Sequence, residues 1–157
     1  LKAGNVRIKL FYAPAAFFKF FTLHGDEFRR RIAAGDFLEY EEVYRDRFYG
    51  TLRSEVERIR ERGETVVFDV DVVGGCNIRE QYAGEALSIF VRPPSVEALR
   101  ERLVTRATDA PEVIEDRLRK AEFELTFAPR FDVVILNDDL ETAQREVVRV
   151  VREFIEG

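Results

Sequence analysis

The sequence predicts an α/β fold in which a parallel sheet carries helices on both faces. Three nearly continuous apolar runs, at 65–73, 87–91 and 131–136, are typical of strands buried in a parallel sheet. Amphipathic helical patterns separate and follow these runs. Because parallel strands are joined by crossover helices that pack back onto the sheet, this alternation predicts helices on both of its sides.

Strands and helices are also expected to alternate before the first of these runs. The elements are a strand at 6–12, a helix at 26–34, an extended segment at 37–44 and a helix at 52–62. Gly35 and Gly63 follow the two helices, where glycine can adopt the positive φ that ends a helix. The aromatic-rich segment 10–21, LFYAPAAFFKFF, has no clean period and gives no assignment.

Three more helices are expected in the last third of the chain. Ser95 can cap the first of them. The segment 109–112, DAPE, predicts a second helix start, because it combines a capping residue, an early proline and an acid. One apolar stripe predicts a final helix, and it consists of Leu140, Ala143, Val147, Val151 and Phe154. No repeat or linker interrupts the sequence, so residues 1–157 are expected to form a single domain.

Composition excludes several classes of protein. The net charge of −5 gives no electrostatic footprint for nucleic acid. No stretch is long and apolar enough to span a membrane. With Cys76 and His24 the only cysteine and histidine, neither a disulfide nor a structural zinc site is expected. These features favour a cytoplasmic globular protein. The oligomeric state is not determined by the sequence.

Two aspartates interrupt the first apolar run. Asp69 and Asp71 are two residues apart in VVFDVDVV, so in a strand both side chains emerge on the same face. Their position just before Gly74 and Gly75 is where open α/β sheets bind ligands. The alternative is a pair of solvent-facing acids on an edge strand. The surrounding valines favour a ligand site, because burying an ionised carboxylate without a partner costs several kcal/mol, roughly.

Three arginines mark the predicted helix pair after Ser95. Arg102 and Arg106 are one turn apart on the first helix, and Arg117 lies on the second. Guanidinium groups on such a pair could neutralise a phosphoryl group in transfer. The alternative is a solvated face on which these arginines pair with nearby glutamates, namely Glu97, Glu101 and Glu115.

A third candidate cluster combines Glu39 in FLEY with the turn residues Tyr49, Gly50 and Thr51 in FYGT. Guanine presents an N–H and an NH₂ side by side, and one carboxylate can accept hydrogen bonds from both. Hydroxyl groups can then bind a carbonyl or a phosphate oxygen. A glutamate and a Tyr-Gly-Thr turn are common, so this cluster indicates guanine binding only together with the others.

The order of the motifs resembles that of the guanylate kinases. FLEY, FYGT, DVDVVGG, RPPS and NDDL occur in that order, with the arginine-bearing helix pair before NDDL, and the likeness extends from Asp26 to the C-terminus. The resemblance implies a fold like that of the P-loop nucleoside monophosphate kinases. It further implies a small GMP-binding region at 6–51 and a helical lid with its flanking helices at 95–125.

On the acceptor side, the resemblance assigns a role to five residues. Glu39 would hold the guanine edge, and Thr51 would contact the base. Tyr49 would bind the phosphate of GMP. Asp71 would face the guanosine, and Asp69 would lie near the phosphates and Mg²⁺.

On the donor side, the resemblance implies that Arg102, Arg106 and Arg117 act on the transferring phosphate. Asn137, with Arg102, would bind ATP near its adenine. The reaction would be ATP + GMP giving ADP + GDP, with Mg²⁺. Closure of the lid would exclude water from the site.

The sequence departs from the family at its beginning. No segment matches G-x-x-x-x-G-K-[ST], the loop that cradles the phosphates of ATP. Phe20 stands where the family has a phosphate-binding tyrosine, and the nearby Arg7 is out of pattern. Because nothing positions ATP, the 157-residue chain alone is expected to be inactive. A start at Leu1 and the absence of methionine indicate either a piece of a longer polypeptide or a sequence that has lost residues.

Two other functions are compatible with these motifs. The first is a catalytically inactive guanylate kinase-like domain that binds a protein through its nucleotide cleft. Such a domain has little reason to keep paired aspartates, three lid arginines and NDDL, which favours the enzyme. The second is a related P-loop kinase for another small phosphorylated substrate, against which Glu39 and Thr51 favour guanine.

Overall fold

A computed structural model describes residues 25–44, 46–106 and 110–157. The expected strand at 6–12 and the segment 10–21 lie outside these ranges. The helices of the described part are α1 (Gly25–Ala33), α2 (Arg53–Glu61), α3 (Val72–Gln81), α4 (Val96–Arg106), α5 (Pro111–Leu125) and α6 (Leu140–Glu156). Its strands are β1 (Phe37–Tyr44), β2 (Arg47–Leu52), β3 (Ile89–Arg92) and β4 (Val133–Leu136). β1 pairs with β2 in antiparallel orientation, and β3 pairs with β4 in parallel orientation.

The parallel pair confirms the predicted class of fold. Ile89 and Ile135, both fully buried, form one core with Val147 of α6. Alternation along a strand turns Phe90 to the opposite face, where it belongs to a second core with Phe131. β3 therefore packs on both faces, as the apolar run at 87–91 predicts.

The predicted strand at 65–73 is wrong. Helix α3 begins at Val72, so Gly74 and Gly75 lie inside a helix rather than in a loop after a strand. Residues 64–71 precede it and form no strand with any part of the chain that the structure describes. The side chain of Asp71 accepts a hydrogen bond from the backbone N–H of Gly74 at 2.7 Å and caps α3.

Three smaller expectations also need correction. β4 is only half buried, because Val134 and Leu136 are 42% and 43% exposed on the face away from α6. Leu140 is 61% exposed and begins α6 rather than belonging to its buried stripe. Ala110, which offers no side-chain hydrogen bond, is the N-cap of α5, whereas Asp109 lies outside the described residues.

The predicted helix ends are confirmed. Gly35 and Gly63 follow α1 and α2 with φ of +73° and +72°, a conformation that favours glycine. Ser95 accepts a hydrogen bond from the backbone N–H of Ala98 at 3.1 Å, as expected of a helix cap.

The β1–β2 hairpin contains a bulge. The pairing register slips by one residue between Phe37 and Glu39, which leaves Leu38 as the extra residue. Phe37 then stacks on Phe28 of α1 at 4.1 Å between ring centroids, whereas Leu38 joins the core. β2 approaches β1 so closely here that a Cβ on Gly50 would lie 2.7 Å from the carbonyl oxygen of Glu39. Glycine is therefore required at position 50, which pairs with Tyr40.

A hydrogen-bonded lock joins β3 and β4 where both strands begin. Ser88 is fully buried, and its N–H and hydroxyl both donate to Oδ2 of Asp132, at 2.9 and 2.6 Å. The backbone N–H of Asp132 donates in return to the Ser88 hydroxyl at 3.0 Å. Arg79 of α3 donates to Oδ1 at 2.8 Å. Burial opposes ionisation of Asp132, but these donors outweigh it and lower the pKa of the carboxyl.

Replacing Asp132 by Asn should lower the free energy of unfolding by about 1–3 kcal/mol at neutral pH, because Arg79 and Ser88 lose a charged partner. The measurement is urea denaturation followed by circular dichroism. Since the pKa is lower in the folded chain, the loss is complete above about pH 4 and shrinks as the pH falls through the folded value. Asp138→Asn, at an exposed carboxylate, is the control, and an equal loss there would contradict the lock.

Candidate functional site

The two strands of the hairpin bring Glu39 and Thr51 together. They are direct cross-strand partners, so their side chains lie on the same face. The Thr51 hydroxyl donates a hydrogen bond to Oε1 of Glu39 at 2.7 Å, and both residues are half-buried. The predicted association of FLEY with FYGT is confirmed as a contact. FYGT lies within strand β2, however, so the expectation of a Tyr-Gly-Thr turn is wrong.

Helix α3 supplies the opposite wall of this cluster. A Cβ built on Gly74 would lie 3.3 Å from Oδ1 of Asp71 and 3.5 Å from Oε2 of Glu39. The two carboxylates therefore flank one point above the first turn of the helix, and the absence of a side chain at Gly74 keeps that space open. We call Glu39, Thr51, Asp71 and Gly74 the carboxylate pocket.

The electrostatics of the pocket reflect carboxylates held close together. Burial raises the pKa of Glu39, the hydrogen bond from Thr51 opposes the rise, and the charge of Asp71 adds to it. Asp69, half-buried in the segment before α3, also has a raised pKa because of burial. Donors that bind the ionised form of Glu39 would offset part of this cost.

Glu41 belongs to the same face and was missed by the sequence reasoning. Its partner across the hairpin is Tyr49, and this is the next pair on that face after Glu39 and Thr51. Burial and then the charge of Asp71 raise the pKa of Glu41, whereas Lys120 of α5 lowers it. The signal was present in the sequence, because residues two apart on a strand share a face.

A second cluster lies where α4 meets the segment after β4. Arg102 donates to the backbone carbonyl oxygens of Asn137 and Asp138, at 2.7 and 2.9 Å. A cavity of about 80 Å³ opens beside this contact, with Arg92, Arg102, Arg106 and Asn137 among its lining residues. The structure thus brings together three of the four residues expected on the donor side.

The fourth residue, Arg117, is half-buried on α5 and is not part of the lining of that cavity. The alternative of arginine–glutamate pairing on a solvated face applies to a neighbouring residue. Arg100 of α4 forms a bidentate ion pair with Glu115 of α5. Arg102 is instead committed to backbone carbonyls, which is not the pairing that a solvated face predicts.

No group of three or more His, Cys, Asp or Glu side chains within the described ranges could hold a metal ion. Asp69, whose carboxyl is half-buried with a raised pKa, is a side chain that a cation would stabilise in its ionised form.

A parallel strand pair, a carboxylate pocket on a hairpin and an arginine-bearing helix pair agree with the arrangement that the resemblance to the nucleoside monophosphate kinases implies. The sequence model of the guanylate kinase family matches residues 18–154. The chain belongs to the guanylate kinase family.

Several similar proteins are named guanylate kinases. The guanylate kinases of Bacteroides thetaiotaomicron and Bacteroides fragilis are 61% and 60% identical to this chain over 137 residues. Each match covers 87% of the chain and 67% of the relative. A crystal structure of the guanylate kinase from Anaplasma phagocytophilum superposes with a TM-score of 0.70 at 26% identity, over 98% of this chain and 87% of that one.

These matches confirm the expected family and its fold, and the alignment of the family begins earlier than the expected Asp26. Within the described residues, no helix has the length and apolarity that a membrane span requires.

Replacing Thr51 by Ala should raise the pKa of Glu39 further, because the lost hydroxyl favours the ionised carboxylate. NMR titration of the Glu39 side-chain carboxyl measures the change. Thr51→Ser keeps a hydroxyl at the same position and should restore most of the original value. If Thr51→Ala leaves the pKa where it was, burial alone sets it and the hydrogen bond has no electrostatic role.

Proposed function

We propose that this chain serves the guanylate kinase reaction, the ATP-dependent phosphorylation of GMP to GDP. It is a phosphotransferase of the nucleoside monophosphate kinase class by family. The observation that carries the assignment of the acceptor is the carboxylate pocket, in which the half-buried carboxylates of Glu39 and Asp71 lie on either side of Gly74.

Glu39 is suited to the guanine edge because one carboxylate can accept from the N1–H and the 2-amino group together. Thr51 fixes its direction through the 2.7 Å hydrogen bond and places a hydroxyl beside the base. Asp71, capping α3, would face the guanosine from the opposite wall. Tyr49, one rung along the same face of the hairpin, would bind the phosphate of GMP.

The donor side would be formed by α4, α5 and the segment after β4. Arg102 and Asn137 line one cavity, which we assign to ATP near its adenine. Arg102, Arg106 and Arg117 would neutralise charge on the transferring phosphoryl group. We further propose that 95–125 act as a lid with its flanking helices. Its closure would exclude water, so that the phosphoryl group passes to GMP rather than to water.

Mg²⁺ would supply charge neutralisation on the phosphates of ATP. The resemblance assigns Asp69 to face it, and the carboxyl of Asp69 is half-buried with a raised pKa, so a cation would stabilise its ionised form. We also propose that the chain forms one domain with a GMP-binding region at 6–51. Part of that region lies outside the described residues. The cytoplasmic location expected from the composition also stays a prediction.

The enzyme is favoured over a protein-binding guanylate kinase-like domain. The similar proteins named above are guanylate kinases, two of them at 60% identity or more. The carboxylate pocket adds a physical argument, because a cleft used only for binding protein has no need for a carboxylate whose ionisation is opposed by burial and by a neighbouring charge. A related kinase for another base is tested by the experiment below.

Replacing Glu39 by Gln should weaken GMP binding about tenfold, because a charged acceptor of two hydrogen bonds is lost. Calorimetric titration with GMP and with IMP, which lacks the 2-amino group, measures the effect. The wild-type chain should prefer GMP, and the variant should lose that preference. Because burial raises the pKa of Glu39, GMP affinity of the wild type should also fall as the pH drops through that raised value.

Glu61→Gln, at an exposed glutamate at the end of α2, is the matched control and should bind GMP like the wild type. Equal GMP affinity in Glu39→Gln would remove the base-recognition role. Absence of measurable GMP binding by the wild type would instead favour the protein-binding domain.

The 157-residue chain should bind GMP without completing the reaction, because it contains no G-x-x-x-x-G-K-[ST] segment to position ATP. A coupled assay of ADP formation from ATP and GMP tests this directly. The full-length guanylate kinase of Bacteroides fragilis, assayed in parallel, provides the positive control. Turnover by the chain itself would show that other residues hold ATP.

A further inference from the structure

Glu39 reaches the carboxylate pocket because β1 is bulged. In a regular strand, Phe37 and Glu39 are two residues apart and would lie on the same face. Phe37 is instead buried against Phe28 of α1, and Glu39 faces Thr51 on the other side of the hairpin. The direction of the Glu39 carboxylate therefore depends on whatever keeps the bulge in place.

Gln81, the last residue of α3, binds the bulge directly. Its side-chain Nε2 donates to the carbonyl oxygen of Leu38 at 3.2 Å and to that of Asn77 at 3.2 Å. Its Oε1 accepts from the guanidinium of Arg53, which also donates to the carbonyl oxygen of Gly35 at 3.3 Å, just before β1. Both ends of the amide are therefore used to hold the start of β1.

Helix α3 contacts the hairpin at both of its ends. Its first turn, with Asp71 and Gly74, lies beside the Glu39 carboxylate, and its last residue holds the Leu38 carbonyl. A helix of this length is a rigid spacer, so the two contacts fix the bulge and the pocket at a constant separation. The bulged residue in a hairpin is normally left out of the ladder, which makes its carbonyl a natural acceptor for a side chain.

We propose that Gln81 is a positioning residue for guanine recognition, which holds the bulge at Leu38 and thereby aims Glu39 at the base. This inference rests on the proposed function, in which Glu39 binds the guanine edge. Gln81 does not touch the nucleotide itself. An amide is suited to the position, since the Leu38 carbonyl requires a donor and Arg53 requires an acceptor.

The test is calorimetric titration of GMP and IMP with the wild-type chain, Gln81→Leu and Gln81→Glu. Gln81→Leu removes both functions of the amide at similar size, whereas Gln81→Glu keeps the acceptor for Arg53 and removes the donor to Leu38. We expect GMP affinity to fall about tenfold in both variants and IMP affinity to fall less, so that the GMP:IMP ratio moves towards one. A loss of folded protein would weaken both ligands in the same proportion and leave the ratio unchanged.

Gln144→Leu, at an exposed glutamine of α6, is the matched control and should keep the wild-type ratio. In the Glu39→Gln background, Gln81→Glu should change the ratio no further, because the two residues act on one contact. A wild-type ratio in both Gln81 variants would overturn the positioning role while leaving guanine recognition intact. A wild-type chain that binds GMP and IMP equally would overturn guanine recognition, and this inference with it.

Discussion

The half-buried carboxylate of Glu39 is the constraint on which the rest of the candidate site depends. An ionised carboxylate withdrawn from water needs hydrogen bonds, and the chain provides it with one good donor, Thr51, while Asp71 opposes its charge. The pKa of Glu39 is therefore raised, and two further hydrogen-bond donors from a ligand would stabilise its ionised form. The adjacent N–H and NH₂ of guanine are such a pair of donors.

Helix α3 connects this carboxylate to the core. At Asp71 the chain turns into a helix, and Gly74 in its first turn carries no side chain beside the two carboxylates. The same helix reaches the β1 bulge through Gln81 and the β3–β4 lock through Arg79. Helix α3 therefore joins the β1–β2 hairpin to the parallel strands. A substitution at either end of α3 should alter the geometry of the carboxylate pocket.

On the proposed donor side, Arg102 is held by backbone carbonyl oxygens rather than by carboxylates. The guanidinium of Arg102 donates to the carbonyl oxygens of Asn137 and Asp138. These hydrogen bonds join α4 to the segment after β4, next to the cavity. These two hydrogen bonds restrict the motion of the Arg102 guanidinium beside the cavity.

The sequence by itself determined the class of fold, the helix ends at Gly35 and Gly63, and the residue types of both halves of the site. These follow from local rules, namely periodicity, the conformational freedom of glycine and the ordered motifs. The tertiary structure decided that 65–71 form no strand and that α3 begins at Val72. It also decided that FYGT lies in a strand, that Glu41 shares the face of Glu39, and that Gln81 binds the bulge. The reason is that a bulge, a cross-strand pair and a side-chain contact between elements depend on residues distant in sequence. No local pattern specifies which of those residues will be the partner.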